Sequence, residues 1–177
     1  MLNIDEVLFK QSKEAYGADY ATHCLEIYKL YVEMADRISS RRHSANSFFL
    51  TINSAIIAVL GYVQFGVYLG AKLGVEPSQT NDFYWIISVL GMILCLIWFR
   101  LIQSYKQLNT AKFKVILQME QSLPIAPYDA EWEAAGRGDD PSLFKPFTQV
   151  EMAIPWVFFL LNLAVFLKVT FSLFIWV

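Results

Sequence analysis

From Ser44 to Ala71 the chain carries no charged side chain. In a helix rising about 1.5 Å per residue, such a run exceeds the roughly 30 Å hydrocarbon core of a bilayer, with room for tilt. Two further apolar runs follow. Phe83 to Phe99 is a little short by charge-free length, but Leu101 and Ile102 extend it past Arg100. An Arg at that position snorkels to the headgroups. The third runs from Met152 to Leu167, meets Lys168 and continues as "VTFSLFIWV". Composition agrees: 56% of residues are apolar and 17% charged, against roughly 25% charged in soluble domains. The alternative is three buried core helices of a soluble protein. Helices apolar on every face need a very large core or lipid, which favours the membrane.

The remaining composition narrows the function classes. A net charge of −2 gives no argument for a nucleic-acid partner, and no stable nucleic-acid binding is expected. "MLNIDEVLFKQSKEAYG" lacks an apolar core followed by a small-residue cleavage site, so it does not read as a secretory signal. Cys24 and Cys95 stand apart, with no short-range partner for a disulfide or a metal. No metal or cofactor is expected.

Orientation follows from Lys and Arg in short flanks. Arg37, Arg41 and Arg42 precede the first run, with Lys29 further back. The first connection, "KLGVEPSQTND", has only Lys72. Arg100, Lys106, Lys112, Lys114, Arg137 and Lys145 follow the second run. The N-terminus and the long second connection are therefore expected in the cytoplasm, and the first loop and Val177 outside. In a bacterial cell this is the inner membrane. Tyr84, Trp85, Trp98, Trp156 and Trp176 stand near run ends, where aromatic residues favour the interface.

Helical spacing continues beyond the membrane. Tyr20, Cys24, Ile27, Tyr31, Met34 and Ile38 form one stripe, flanked by Ala21, Leu25, Tyr28, Val32 and Ala35, with charges opposite. The first helix is expected from about Ala18 to about Leu69, with at most a bend near Ser39 and Ser40. Leu101, Tyr105, Leu108, Val115, Met119 and Leu123 carry the second helix into the cytoplasm. Pro124, Pro127, Gly136, Gly138, Pro141 and Pro146 then predict an acidic loop. Pro155 is expected in the first turns of the third membrane helix. The expected division is a cytoplasmic helical region over 1–43, membrane helices over 44–71, 83–102 and 151–177, an external loop over 72–82, a cytoplasmic amphipathic helix over 103–123 and the acidic loop over 124–150. This is an all-α integral membrane protein. The N-terminal helix shows an apolar face wider than one partner covers, which predicts a symmetric homo-oligomer.

The first membrane run is rich in small polar residues. Ser44, Ser47, Thr51, Ser54, Ala58 and Gly61 share a stripe, and Asn46 and Asn53 lie a heptad apart. Such residues pack helices closely and hydrogen-bond across them in lipid. Two readings are open. They join helices within one subunit, or Asn46, Ser47, Thr51, Asn53 and Ser54 line a subunit interface or a water-filled pore. Lys168 is the other anomaly, with no acidic residue in any membrane run to pair with it. It snorkels outward, binds carbonyls or a lipid phosphate, or faces water; a ring of Lys168 would favour anion passage.

Chemistry is sparse. Glu131 and Glu133 alternate in the acidic loop and read as solvated. Arg37, five residues, then His43 matches the loose pattern of HEPN ribonucleases, in which a base and a cation attend a phosphate. The competing assignment is a surface anchor. Arg37, Arg41, Arg42 and Arg100 sit where an anionic leaflet attracts basic residues by about 1 kcal/mol each. The expectation is that the chain is not an enzyme.

Three stretches together, "ADRISSRRHSANSFFLTINSAI", "WFRLIQSYKQLNTAKFKVILQME" and "LPIAPYDAEWE", resemble the RipA-like family of small octameric bacterial inner-membrane proteins. The chain is also similar to membrane-pore accessory proteins of type VI-B CRISPR systems, and more loosely to SLATT membrane effectors. The resemblance spans about Leu25 to Phe174. It implies a homo-octamer around a central pore that depolarises or permeabilises the inner membrane in phage defence, with a Cas13b effector or its activated state as partner. It places Arg37 and His43 in HEPN-like positions. Within the resemblance, a non-conducting scaffold for envelope stress or virulence and a membrane-tethered ribonuclease are the alternatives.

Overall fold

The computed structural model describes residues 4–73, 81–139, 142 and 147–175. All regular structure among them is helical: α1 (Ile4–Leu8), α2 (Lys13–Tyr16), α3 (Tyr20–Lys72), α4 (Asn81–Glu120), α5 (Pro127–Ala134), a 3₁₀ turn (Gly136–Gly138) and α6 (Phe147–Ile175). Three of these, α3, α4 and α6, are long and apolar enough to cross a membrane. In lipid every backbone polar group must be satisfied within its segment, so an uninterrupted helix is the form such runs take.

α3 runs unbroken for 53 residues, past Ser39 and Ser40. Ser39 bonds back to the Ala35 carbonyl at 3.3 Å. The hydroxyl stays within the helix and leaves its ladder in place. At the other end of the size range, Ser12 caps α2 by accepting from the Ala15 N–H, and Gly17 ends it with a left-handed φ of 95° that a side chain would resist.

The chain divides into two compact units. The first comprises residues 1–42 and 104–147. Its buried apolar residues are Ala35, Ile38, Ile116 and Met119, and each larger one stabilises by about 1.5–3 kcal/mol if water surrounds the unfolded form. The second comprises residues 43–103 and 148–177. Phe49, Trp98 and Ile102 form one buried cluster there, with Met152 and Phe158 against it. Leu60, Tyr84 and Val169 form another, with Ile87 and Val165. Phe49 and Trp98 stack at 5.9 Å with planes 10° apart.

Two expectations are corrected. The segment read as an acidic loop contains α5, whose Pro127 sits in the first turn, where a missing N–H is harmless. α6 begins at Phe147, so Pro155 is well inside it rather than in its first turns. The buried Pro155 ring removes one rung of the helix ladder. Positions 74–80 of the expected external loop, Pro141, Pro146 and Trp176 lie outside the described residues.

Candidate functional site

α3 carries two kinds of polar side chain through the second unit, one set turned inward and the other exposed. Asn53 is fully buried. Its Nδ2 donates to the Phe49 carbonyl at 2.8 Å, and its Oδ1 accepts from Cys95 Sγ at 3.2 Å. Asn46, half-buried, accepts from Trp98 Nε1 at 2.9 Å and donates to Glu151 Oε1 at 3.0 Å. These bonds tie α3 to α4 and α6. Lipid offers no hydrophobic drive between helices, so packing and bonds of about 0.6–2 kcal/mol each set their register. The heptad spacing places both asparagines on one side of α3, and that side meets the chain's own helices.

Ser47, Thr51 and Ser54 are exposed, as are Ala58 and Gly61. They form a narrow face of small residues on the outside of the single chain. The Thr51 hydroxyl donates to the Ser47 carbonyl at 2.8 Å. A second close fit lies between α4 and α6. Gly91 is buried beneath the Asn162 amide, and a Cβ there would stand 2.6 Å from Asn162 Cγ. Asn162 Nδ2 donates to the Phe158 carbonyl at 2.8 Å.

Lys168 is exposed and lines a cavity of about 390 Å³ with Gln64, Tyr84 and apolar neighbours from α3 and α6. Of the basic residues, Arg37 pairs with Glu33 one turn earlier at 2.6 Å, on the exposed side of α3. Arg41, His43 and Arg100 are exposed. Arg42 is half-buried, and burial draws its guanidinium below the ordinary value. Among the described residues no group of His, Cys, Asp and Glu is arranged to hold a metal. Glu133 bonds Arg137 at 2.5 Å, and Glu131 is exposed.

The first unit holds a buried carboxylate that the sequence did not reveal. Glu120 is 1% exposed. Its Oε1 accepts from the Tyr28 hydroxyl at 2.8 Å and the Tyr128 N–H at 3.0 Å; its Oε2 accepts from the Asp129 N–H at 3.0 Å. The last residue of α4 therefore caps the first turn of α5, where Ala126 supplies no side-chain cap. Burial, then the bond to Glu120, raises the Tyr28 phenol well above its ordinary value. The signal for Glu120 was its place at the end of a helical stripe, four residues before the Pro124 break, yet an acid there reads equally well as solvated. Glu151 and Gly91 carried no signal of their own, and the sequence marks Cys95 and Trp98 without their roles, because the partners of all four lie on other helices.

A family model described as the octameric membrane protein family (8xMP) matches residues 25–171. No curated protein and no solved structure matches the chain.

Proposed function

Because the chain belongs to the octameric membrane protein family (8xMP), we propose that it assembles as a homo-octamer enclosing a pore that permeabilises or depolarises the bacterial inner membrane. The observation that carries this reading is the exposed face of Ser47, Thr51 and Ser54 on a membrane-crossing helix. Hydroxyls on the outside of a spanning helix fit a neighbouring subunit or water better than acyl chains. The Lys and Arg distribution supports a cytoplasmic N-terminus and an outward C-terminus. The biological setting we propose is antiphage defence, with a Cas13b effector or its activated state upstream.

Reconstituted protein tests this directly. Liposomes containing it should release a small trapped dye or pass current, and cells expressing it should lose membrane potential. A sealed membrane over assembled protein would sink the pore. The second reading, a non-conducting scaffold, is favoured by the Thr51 bond to the Ser47 carbonyl, which satisfies that hydroxyl without water. It expects intact potential and no effect of Ser54→Leu on it.

We read the chain as non-enzymatic. Glu33 engages the Arg37 guanidinium, and a phosphate would have to displace it. RNA cleavage that vanishes in His43→Ala with assembly intact would establish the ribonuclease instead.

A further inference from the structure

The cavity beside Lys168 has the composition of a lipid site. Its walls are largely apolar, with Leu60 and Val165 among them, and its polar groups are Lys168, Gln64 and Tyr84. Tyr84 is 5% exposed, and its hydroxyl is buried with no hydrogen-bond partner among the described residues. A buried hydroxyl left unpaired is costly, so a bound acceptor is the simplest complement. Lys168 brings the cation that an acceptor of negative charge requires, and among the described residues no acidic side chain lines the cavity to oppose it or to meet a positive headgroup.

Position within the helices points the same way. Tyr84 follows closely on the start of α4 at Asn81, and Gln64 lies two turns before the end of α3 at Lys72. These ends belong to one side of the second unit, so the polar groups stand near a membrane surface while the apolar walls continue inward. A soluble anion needs no such walls. We propose that this cavity binds an anionic phospholipid, its phosphate held by Lys168 Nζ, the Tyr84 hydroxyl and the Gln64 amide, and an acyl chain along Leu60 and Val165. The site does not depend on the pore, since it is built within one chain.

Gly61 gives a clean way to close the cavity. It lines the space, and a Cβ added to it meets nothing within 4 Å. The test counts lipid retained by the purified full chain in native mass spectrometry. Mixed micelles contain phosphatidylglycerol or phosphatidylcholine with the same acyl chains. Wild type should retain phosphatidylglycerol in preference. Lys168→Gln should weaken retention about tenfold and Tyr84→Phe roughly threefold, the sizes expected for losing a charged and a neutral hydrogen bond. Gly61→Trp should abolish it, while Lys168→Arg should preserve it. Tyr84→Phe removes one oxygen, and with no lipid present it should melt no lower than wild type. Three results would overturn the proposal. Equal retention of both lipids by wild type, unchanged in Lys168→Gln, removes the charged contact and the anionic preference. Displacement of phosphatidylglycerol by millimolar inorganic phosphate assigns the cavity to a soluble anion. No retained lipid in wild type, with loss of assembly in Gly61→Trp, assigns it to a second copy of the chain.

Discussion

Asn53 shows how far a single side chain can be read. Its amide within an apolar run marks a helix contact, and burial in bonds to Phe49 and Cys95 identifies that contact as internal. Asn53→Leu should therefore lower stability by about 1 kcal/mol, read as an earlier unfolding midpoint in a denaturing-detergent titration, with subunit number unchanged. Asn46 and Ser47 are adjacent in sequence, yet one bonds Trp98 and Glu151 while the other is exposed. Sequence polarity found both, but side-chain chemistry alone cannot tell whether the facing helix belongs to the same chain. Glu120 was less legible still, because what makes it structural is the distant Tyr28 hydroxyl and two N–H groups beyond the Pro124 break. Its partner Tyr28 gives a pH signature. A phenol whose folded value is raised contributes stability that is complete below the unfolded value, about 10, and is lost as pH climbs toward the folded one. The first unit should loosen above about pH 10, more steeply in wild type than in Tyr28→Phe; amide exchange around α5 reports it.

At the level of elements, the membrane helices were legible and α5 was not. Charge-free length fixes a spanning helix almost alone, since lipid permits little else. α5 is only 8 residues long and marginal by itself. Its first turn depends on a carboxylate from the end of α4, a contact that local proline counting reads as a break. Glu120→Ala leaves the Tyr28 hydroxyl and two backbone N–H groups without their acceptor. The expected loss is about 3 kcal/mol. Exchange protection over Pro127–Ala134 should vanish while the membrane segments of α3 and α4 stay protected. The seam between α4 and α6 depends instead on an absent side chain. Gly91→Ala drives a methyl into the Asn162 amide, and should lower stability by about 1–3 kcal/mol. Asn162→Ala removes the obstructing atoms, so the double variant should recover most of that loss. Additive losses would show that the two residues do not meet.

For the whole molecule, exposure has different meanings in the two units. Tyr62 and Leu160 are strongly exposed in the second unit, where lipid can cover them. Leu25, Ile27, Leu30 and Met34 are exposed on α3 in the first unit, among charged residues that lipid disfavours. Glu26, Lys29, Glu33, Asp36 and Arg37 share that stretch, and so many charges hold it in water. An apolar face kept in water on a chain of this family is what a neighbouring copy would cover. Leu30 is more than half exposed, so Leu30→Glu disturbs little packing within the chain and places a charge where a second copy would pack. It should shift the purified protein from one large species to smaller ones in mass measurement, with the fold of each chain retained by circular dichroism. If the pore is the octamer's own, the same variant should abolish dye release while still inserting into the membrane. Ring and conductance then fail together, whereas Ser54→Leu, on the membrane face of α3, should reduce conductance and leave the large species intact. Dye release persisting in dispersed Leu30→Glu chains would separate permeabilisation from assembly and reject the ring as its cause.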